Sequence, residues 1–143
     1  MENDLNRFLT AQEHNYETAL AEIKLGKKQS HWMWYVFPQL NGLGLSSTSL
    51  FYGIQDLEEA KAYLAHPLLG SRLVAITNVL LLLNEKDAYT IFGSPDHLKL
   101  KSCMTLFSLV DEGADAVFKK VIEQYFNGSM DAKTLQLIST NEI

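Results

Sequence analysis

The feature of this sequence that most constrains its fold is the spacing of its apolar residues. The first segment places them three and four positions apart, at Leu5, Phe8, Leu9, Tyr16, Leu20 and Ile23. This spacing predicts one amphipathic helix of about six turns that ends at Gly26. No run alternates with period two, so we expect no sheet. The sequence predicts an all-α fold, a compact single-domain bundle of six to eight helices over residues 1–143.

Capping and breaking residues divide the rest of the chain. Helix starts are predicted at Asp56 with Glu59, at Ser94-Pro95 and at Asp131, and breaks before Pro67 and at Gly113. The stretch LLGSRLVAITNVLLLLN is apolar on nearly all sides, which predicts a central helix covered by the others. Residues 41–53, NGLGLSSTSLFYG, hold three glycines and four Ser or Thr residues and predict an irregular loop.

Charge and composition exclude several classes of protein. The net charge of -5 argues against nucleic-acid binding, which needs a basic surface. The single cysteine, Cys103, cannot form an intramolecular disulfide, and the N-terminus lacks a secretory pattern. The longest apolar run, residues 73–83, is too short to span a bilayer. We therefore expect a cytoplasmic protein that binds neither nucleic acid nor membrane, with its oligomeric state left open.

The motifs for metals and common cofactors are absent from the sequence. The four histidines form no pair at metal-ligand spacing, and there is no cysteine cluster, so we predict no metal site. The segment GLGLSS begins like a dinucleotide-binding loop, but Ser47 occupies the third glycine position and no strand precedes it. We predict a turn with positive φ at Gly42 or Gly44 instead, and no cofactor.

The stretch SHWMWYVFPQLNGLG, residues 30–44, contains both tryptophans of the chain. On a short helix that Ser30 could cap, Trp32 and Tyr35 share one side, while His31 and Trp34 share another. One side is expected to pack into the core. The other is either a second structural stripe or an aromatic wall for a ligand, and both interpretations stay open.

Further polar residues could meet such a wall. Arg72 lies near the start of the apolar helix, where it could bind a carboxylate or phosphate, or simply pair with an acidic residue. Asp96, Lys99 and Ser102 follow one another at three-residue intervals and form one polar stripe.

Three blocks of the sequence together resemble the family of domains of unknown function numbered eighteen-ten, whose members are sometimes labelled calpastatin. The blocks are SHWMWYVFPQLNGLG, FYGIQDLEEAKAYLAHPLLGSRL and IFGSPDHLKLKSCMTLF. The motif positions of that family occur here as His31, Trp34, Pro38, Gln39, Gly42, Gly44, Tyr52, His66, Gly70, Arg72, Asp96, Lys99 and Ser102. The resemblance implies a mainly helical single domain and brings no established activity. Cys103 departs from the family pattern, where Ser or Ala is more usual.

Two functions are predicted as alternatives. The first is a small-molecule site for a nucleotide or ADP-ribosyl ligand. If the site is catalytic, the reaction class that we predict is hydrolysis of an N-glycosidic bond, with His31 and Asp96 as catalytic residues. The ligand-binding residues would be Trp34, Gln39, Tyr52, Arg72, Lys99 and Ser102, with the rings stacking and the cations neutralising phosphates. The second is a non-catalytic adaptor or regulator that binds a protein partner through its aromatic loop.

Overall fold

A computed structural model describes residues 4–84, 87–111 and 116–141, and the described part of the chain contains ten helices and no strand. They are α1 (Asn6–Gln12), α2 (Tyr16–Lys24), α3 (Met33–Val36), α4 (Ser47–Tyr52), α5 (Leu57–Ala65), α6 (Pro67–Leu82), α7 (Ala88–Phe92), α8 (Asp96–Val110), α9 (Val117–Phe126) and α10 (Ala132–Asn141). The predicted all-α class is confirmed. The predicted number of six to eight helices is too low, because the short helices were not separated from their neighbours.

The single six-turn helix predicted at the N-terminus is in fact two helices, α1 and α2. The chain breaks at residues 13–15, where the Asn15 side chain donates to the carbonyl of Ala11 (3.0 Å). Asparagine competes in this way with regular helical hydrogen bonds. The break lets both Phe8 and Tyr16 reach the core, where they are 0% and 6% exposed.

The predicted loop at residues 41–53 contains a helix, so this prediction holds only for its first half. Ser46 caps α4, and its hydroxyl accepts a hydrogen bond from the Ser49 N–H at 3.1 Å. A serine run can serve as an N-cap as readily as it can form a loop. The predicted turn with positive φ is confirmed at Gly42, whose φ is +104°.

The predicted capping residues lie at or next to helix ends. Asp56 accepts from the Glu59 N–H (2.8 Å), and Asp131 accepts from the Thr134 N–H (3.0 Å). The helix predicted to start at Ser94-Pro95 begins one residue later, at Asp96. The break predicted at Gly113 lies outside the described residues.

Helices α6 and α8 share the centre of the molecule. Helix α6 packs against α2, α5 and α9, and α8 packs against α5, α7, α9 and α10. The expectation that the apolar helix is covered by others is confirmed. Its inward residues, Leu69, Leu73, Ile76 and Leu80, are at most 1% exposed.

Helices α5 and α6 meet at an angle of 89° around His66 and Pro67. The imidazole Nδ1 of His66 accepts hydrogen bonds from the N–H groups of Leu68 and Leu69, at 3.1 and 3.2 Å, and so caps α6. Within the described ranges no single helix is long and apolar enough to cross a membrane. Among the described helices, this bent pair reaches the required length and hydropathy when its two members are taken together.

Candidate functional site

A cavity of about 470 Å³ lies where the aromatic segment meets the first turns of α8 and α10. Helix α3 and the turn after it form one wall, and the two helix starts form the other. The lining residues are Trp34, Gln39, Leu43, Gly44, Pro95, Leu98, Lys99, Ser102, Asp131 and Lys133. A concave, mainly apolar cavity with a few polar groups is typical of small-molecule sites.

The wall that carries Trp34 is anchored by a buried carboxylate from α2. Oε1 of Glu22 accepts from the N–H groups of Gln29 (2.7 Å) and Ser30 (2.9 Å) and from the indole N–H of Trp32 (2.9 Å). Oε2 accepts from the Ser30 hydroxyl at 2.5 Å. The prediction that Ser30 caps α3 is therefore wrong, because its side chain binds the Glu22 carboxylate instead.

The hydrogen bonds to Glu22 decide its protonation. Burial alone would raise the pKa of this carboxyl, but the four donors from Ser30, Gln29 and Trp32 outweigh it, and they lower the pKa to about 2. The anchor is therefore a carboxylate at neutral pH, and it fixes the chain that leads into α3.

The two tryptophans occupy different environments. Trp32 is 1% exposed and packs against the rings of Phe37 and Phe92, with centroid distances of 6.1 and 6.4 Å. Trp34 is half-buried and lines the cavity. The expectation that one side of the aromatic segment packs into the core is confirmed for Trp32, and Trp34 on the other side lies at the candidate site.

A chain of charges runs beside the cavity. The carboxylate of Asp96 binds the ammonium groups of Lys28 and Lys99, each at 2.8 Å. Burial raises the pKa of Asp96, but the hydrogen bonds and charges of the two lysines outweigh it, so the pKa is lowered. With two cations for one anion, the group carries one surplus positive charge at the edge of the cavity.

Gln39 is a polar lining residue whose side-chain amide makes no hydrogen bond to any part of the protein that the structure describes. The residue as a whole is 9% exposed, and its amide atoms are not fully buried. Its backbone carbonyl accepts from the Ile54 N–H (2.9 Å) next to the isolated bridge between Leu40 and Ile54. The backbone of Gln39 is therefore fixed, while its amide has no partner within the described chain.

Four of the eight sequence-predicted site residues line this cavity: Trp34, Gln39, Lys99 and Ser102. The Ser102 hydroxyl donates to the Leu98 carbonyl at 3.2 Å and retains acceptor capacity. Asp96 lies behind Lys99 as its ion-pair partner and is not among the lining residues.

The remaining three predicted site residues, His31, Tyr52 and Arg72, do not line this cavity. His31 is exposed and does not line the cavity. Tyr52 packs against the rings of Phe8, Tyr35 and Phe51. Arg72 lies in a separate cleft, so its predicted convergence with Gln39 and Lys99 is wrong. The reason is that the bend before α6 directs the first turns of that helix towards α1.

Sequence reasoning missed several residues of the site. Glu22 and Lys28 gave no signal of their own, because their partners lie in other segments. Asp131 was identified as a helix cap, and nothing in the sequence indicated that it also lines a cavity. Among the described residues no group of three or more His, Cys, Asp or Glu side chains could hold a metal ion.

Comparisons with known proteins agree with the fold. The family model described as "Protein of unknown function (DUF1810)" matches residues 2–138. The chain is similar to the crystal structure of the conserved hypothetical protein Rv1873 from Mycobacterium tuberculosis, with 44% sequence identity and a TM-score of 0.92. That match covers 95% of this chain and 96% of the other. A comparison with curated proteins gives no match.

Proposed function

We propose that this chain, which belongs to the DUF1810 family of proteins of unknown function, binds a small anionic ligand with a planar ring in the cavity beside Trp34. The ligand class that we favour is a nucleotide or an ADP-ribosyl derivative. The observation that carries the proposal is the Gln39 amide, which lines the cavity and makes no hydrogen bond within the described chain, so its donor and acceptor groups are available to a ligand. In a mainly apolar cavity a few placed polar groups fix the orientation of a bound molecule.

Two further features support a ring and an anion. The Lys99 ammonium covers one face of the Trp34 ring, so a ligand ring would stack on the opposite face. Leu43 and Leu98 add apolar surface to the cavity. Lys99 supplies positive charge that Asp96 neutralises only in part, because Asp96 also binds Lys28. Asp131 and Lys133 also line the cavity, and their opposite charges offset each other. The surplus positive charge of the Asp96 group therefore favours a phosphate or carboxylate at Lys99.

The geometry supports binding better than hydrolysis. Asp96 is held by two lysines, and His31 is exposed and away from the lining. A catalytic acid or base must come within hydrogen-bond reach of the bond that breaks. Cleavage of an N-glycosidic bond by this pair stays a prediction, and it would require His31 to move towards the cavity.

The proposal is tested by thermal shift and calorimetry with AMP, ADP, ADP-ribose and NAD. A site filled at about a hundred times its Kd adds roughly 2.7 kcal/mol of stability. This corresponds to a rise in Tm of about 5–10 °C for a chain of this size. We expect Gln39→Ala and Lys99→Met to weaken binding, while the exposed controls Gln136→Ala and Lys119→Met leave it unchanged. If no compound shifts the Tm, or if all four variants behave alike, the proposal is wrong.

One observation favours the alternative of a protein-binding role. Leu45, Leu50 and Phe51 lie on and just before α4 and are 92%, 53% and 57% exposed. Exposed apolar residues in one segment are typical of interaction surfaces. A defined partner whose binding is lost in Leu45→Ser and kept in Trp34→Ala would favour this alternative over the ligand site.

A further inference from the structure

A second cleft lies between α1 and the start of α6, and the proposed ligand site does not use it. It has a volume of about 260 Å³ and is lined by Leu9, Thr10, Glu13, Leu68 and Arg72. None of these residues lines the cavity beside Trp34.

The guanidinium of Arg72 is held in place by side chains of the first two helices. Its Cζ lies 5.1 Å from the centroid of the Tyr16 ring. One of its nitrogens donates to Oε1 of Gln12 at 3.4 Å. Gln12 is 1% exposed and is itself fixed, since its amide donates to the Tyr35 carbonyl (2.8 Å) and to the Tyr63 hydroxyl (2.9 Å). The half-buried cation therefore has a defined orientation at the cleft.

Most of the hydrogen-bonding capacity of Arg72 is unused. A guanidinium has five N–H donors in a planar fork, and here one long hydrogen bond occupies one of them. No carboxylate in the described chain lies within ion-pair distance of it, including Glu13 on the same cleft. A fork with two free parallel donors is suited to bidentate binding of a carboxylate.

The other lining residues select among anions. The negative charge of Glu13 opposes a phosphate dianion and favours a ligand that carries an ammonium group as well. Leu9 and Leu68 provide apolar surface for a hydrophobic side chain, and Thr10 adds a hydroxyl. We propose that this cleft binds a free amino acid with an apolar side chain, its carboxylate at Arg72 and its ammonium group near Glu13. The proposal is independent of the function assigned to the cavity beside Trp34.

The test uses three probes that differ in one charged group each, with inorganic phosphate as a competing anion. They are L-leucine, isocaproate, which lacks the amine, and isopentylamine, which lacks the carboxylate. We expect leucine to shift the backbone amide NMR signals of residues 9–13 and 68–72, with a Kd near or below about 1 mM, and to leave the Trp34 indole signal unchanged. Isocaproate should bind more weakly at the same residues, and isopentylamine should not bind.

Variants assign each charge to its partner. Arg72→Met should weaken both leucine and isocaproate by about tenfold or more. Glu13→Gln should weaken leucine and leave isocaproate unchanged, whereas the exposed control Glu17→Gln should affect neither. If Arg72→Met fails to fold, the proposal is still tested by the affinities of Glu13→Gln for leucine and isocaproate. The proposal is wrong if leucine causes no shifts, if isopentylamine binds as well as leucine, or if inorganic phosphate is preferred.

Discussion

The ammonium nitrogen of Lys99 lies 4.3 Å from the centroid of the Trp34 ring while it also binds Asp96. Lys28 repeats this arrangement with Trp32, at 5.0 Å, and binds the second oxygen of the same carboxylate. Two lysine–tryptophan pairs thus share one aspartate. The shared aspartate connects the half-buried indole of Trp34 to the first turn of α8. The aromatic segment is therefore joined to the charged residues of α8 through these ion pairs.

Removing one tryptophan at a time should separate their environments. We expect the fluorescence of Trp34→Phe, which retains the buried Trp32, to resist acrylamide quenching. The fluorescence of Trp32→Phe, which retains the half-buried Trp34, should be quenched readily. Equal quenching in the two variants would contradict the placement of Trp34 at the cavity.

Loss of Lys28 should raise the pKa of Asp96. Two lysines hold that pKa below its ordinary value, so Lys28→Met removes part of the stabilisation of the carboxylate. A lowered pKa stabilises the folded state above the ordinary value of 3.8, and this contribution is lost as the pH falls below it. Carboxyl-carbon NMR titration measures the change. The exposed neighbour Lys27 provides the control, since Lys27→Met should leave the titration of Asp96 unaltered.

Glu22→Gln should destabilise the fold by about 1–3 kcal/mol at neutral pH, because it weakens the hydrogen bonds to a charged acceptor. The folded pKa of about 2 lies below the ordinary value of 4.5, so the contribution is complete above pH 4.5 and declines as the pH falls towards 2. Urea unfolding across this pH range should show that the difference in the free energy of unfolding between wild type and variant becomes smaller as the pH falls. A difference that stays constant with pH would contradict the anchor described here, and Glu17→Gln on the same helix is the control.

The buried ion pair between Arg7 and Glu59 should contribute strongly to the attachment of α1. Its atoms are 3.0 Å apart, and the two side chains are 7% and 3% exposed. Arg7 also donates to the carbonyls of Phe51 (2.8 Å) and Gly53 (3.0 Å). Arg7→Met leaves a buried carboxylate unpaired and should cost about 3–5 kcal/mol in the free energy of unfolding.

A double mutant provides the check on this pair. Arg7→Met combined with Glu59→Gln should cost less than the sum of the two single variants, because the second change removes the charge that the first leaves unpaired. Additive costs, measured by urea unfolding, would contradict a direct interaction.

Gly70→Ala should prevent the close approach of α5 and α6. A Cβ at this position would lie 2.0 Å from the carbonyl oxygen of Leu64, far inside contact distance. We expect a loss of about 3 kcal/mol or more, or a failure to fold. Ser71→Ala, at the next and exposed position of the same helix, should change stability by less than about 0.5 kcal/mol. Near-equal Tm values for the two variants would rule out this packing constraint.

The parts of the fold that could be predicted from the sequence are those with local causes. Asp56 and Asp131 bind N–H groups three residues away, and the spacing alone identifies them. The central position of α6 follows from its composition. The break between α1 and α2 was missed because the apolar spacing continues across it, while its cause is a side chain that bonds back to Ala11.

Candidate-site residues on one helix could be placed together from the sequence, whereas the meeting of distant segments could be anticipated only in part, because Trp34 and Gln39 reach the cavity and Arg72 does not. Lys99 and Ser102 share a face of α8, so their spacing placed them together. The distance between Arg72 and the aromatic segment depends on the bend at His66, which no local pattern measures. Glu22 was missed because its four donors become neighbours only after the chain has folded.

The sharing of Asp96 by two lysines has a consequence for any guest of the cavity. An anion that enters the cavity competes with Asp96 for Lys99. In most buried ion pairs, such competition would leave the carboxylate buried without a counter-ion. Here Lys28 remains paired with the other carboxylate oxygen, so Asp96 retains a counter-ion when Lys99 binds the incoming anion. If an anion binds in the cavity as proposed, Lys99 can therefore pair with it while the ion pair between Asp96 and Lys28 stays intact.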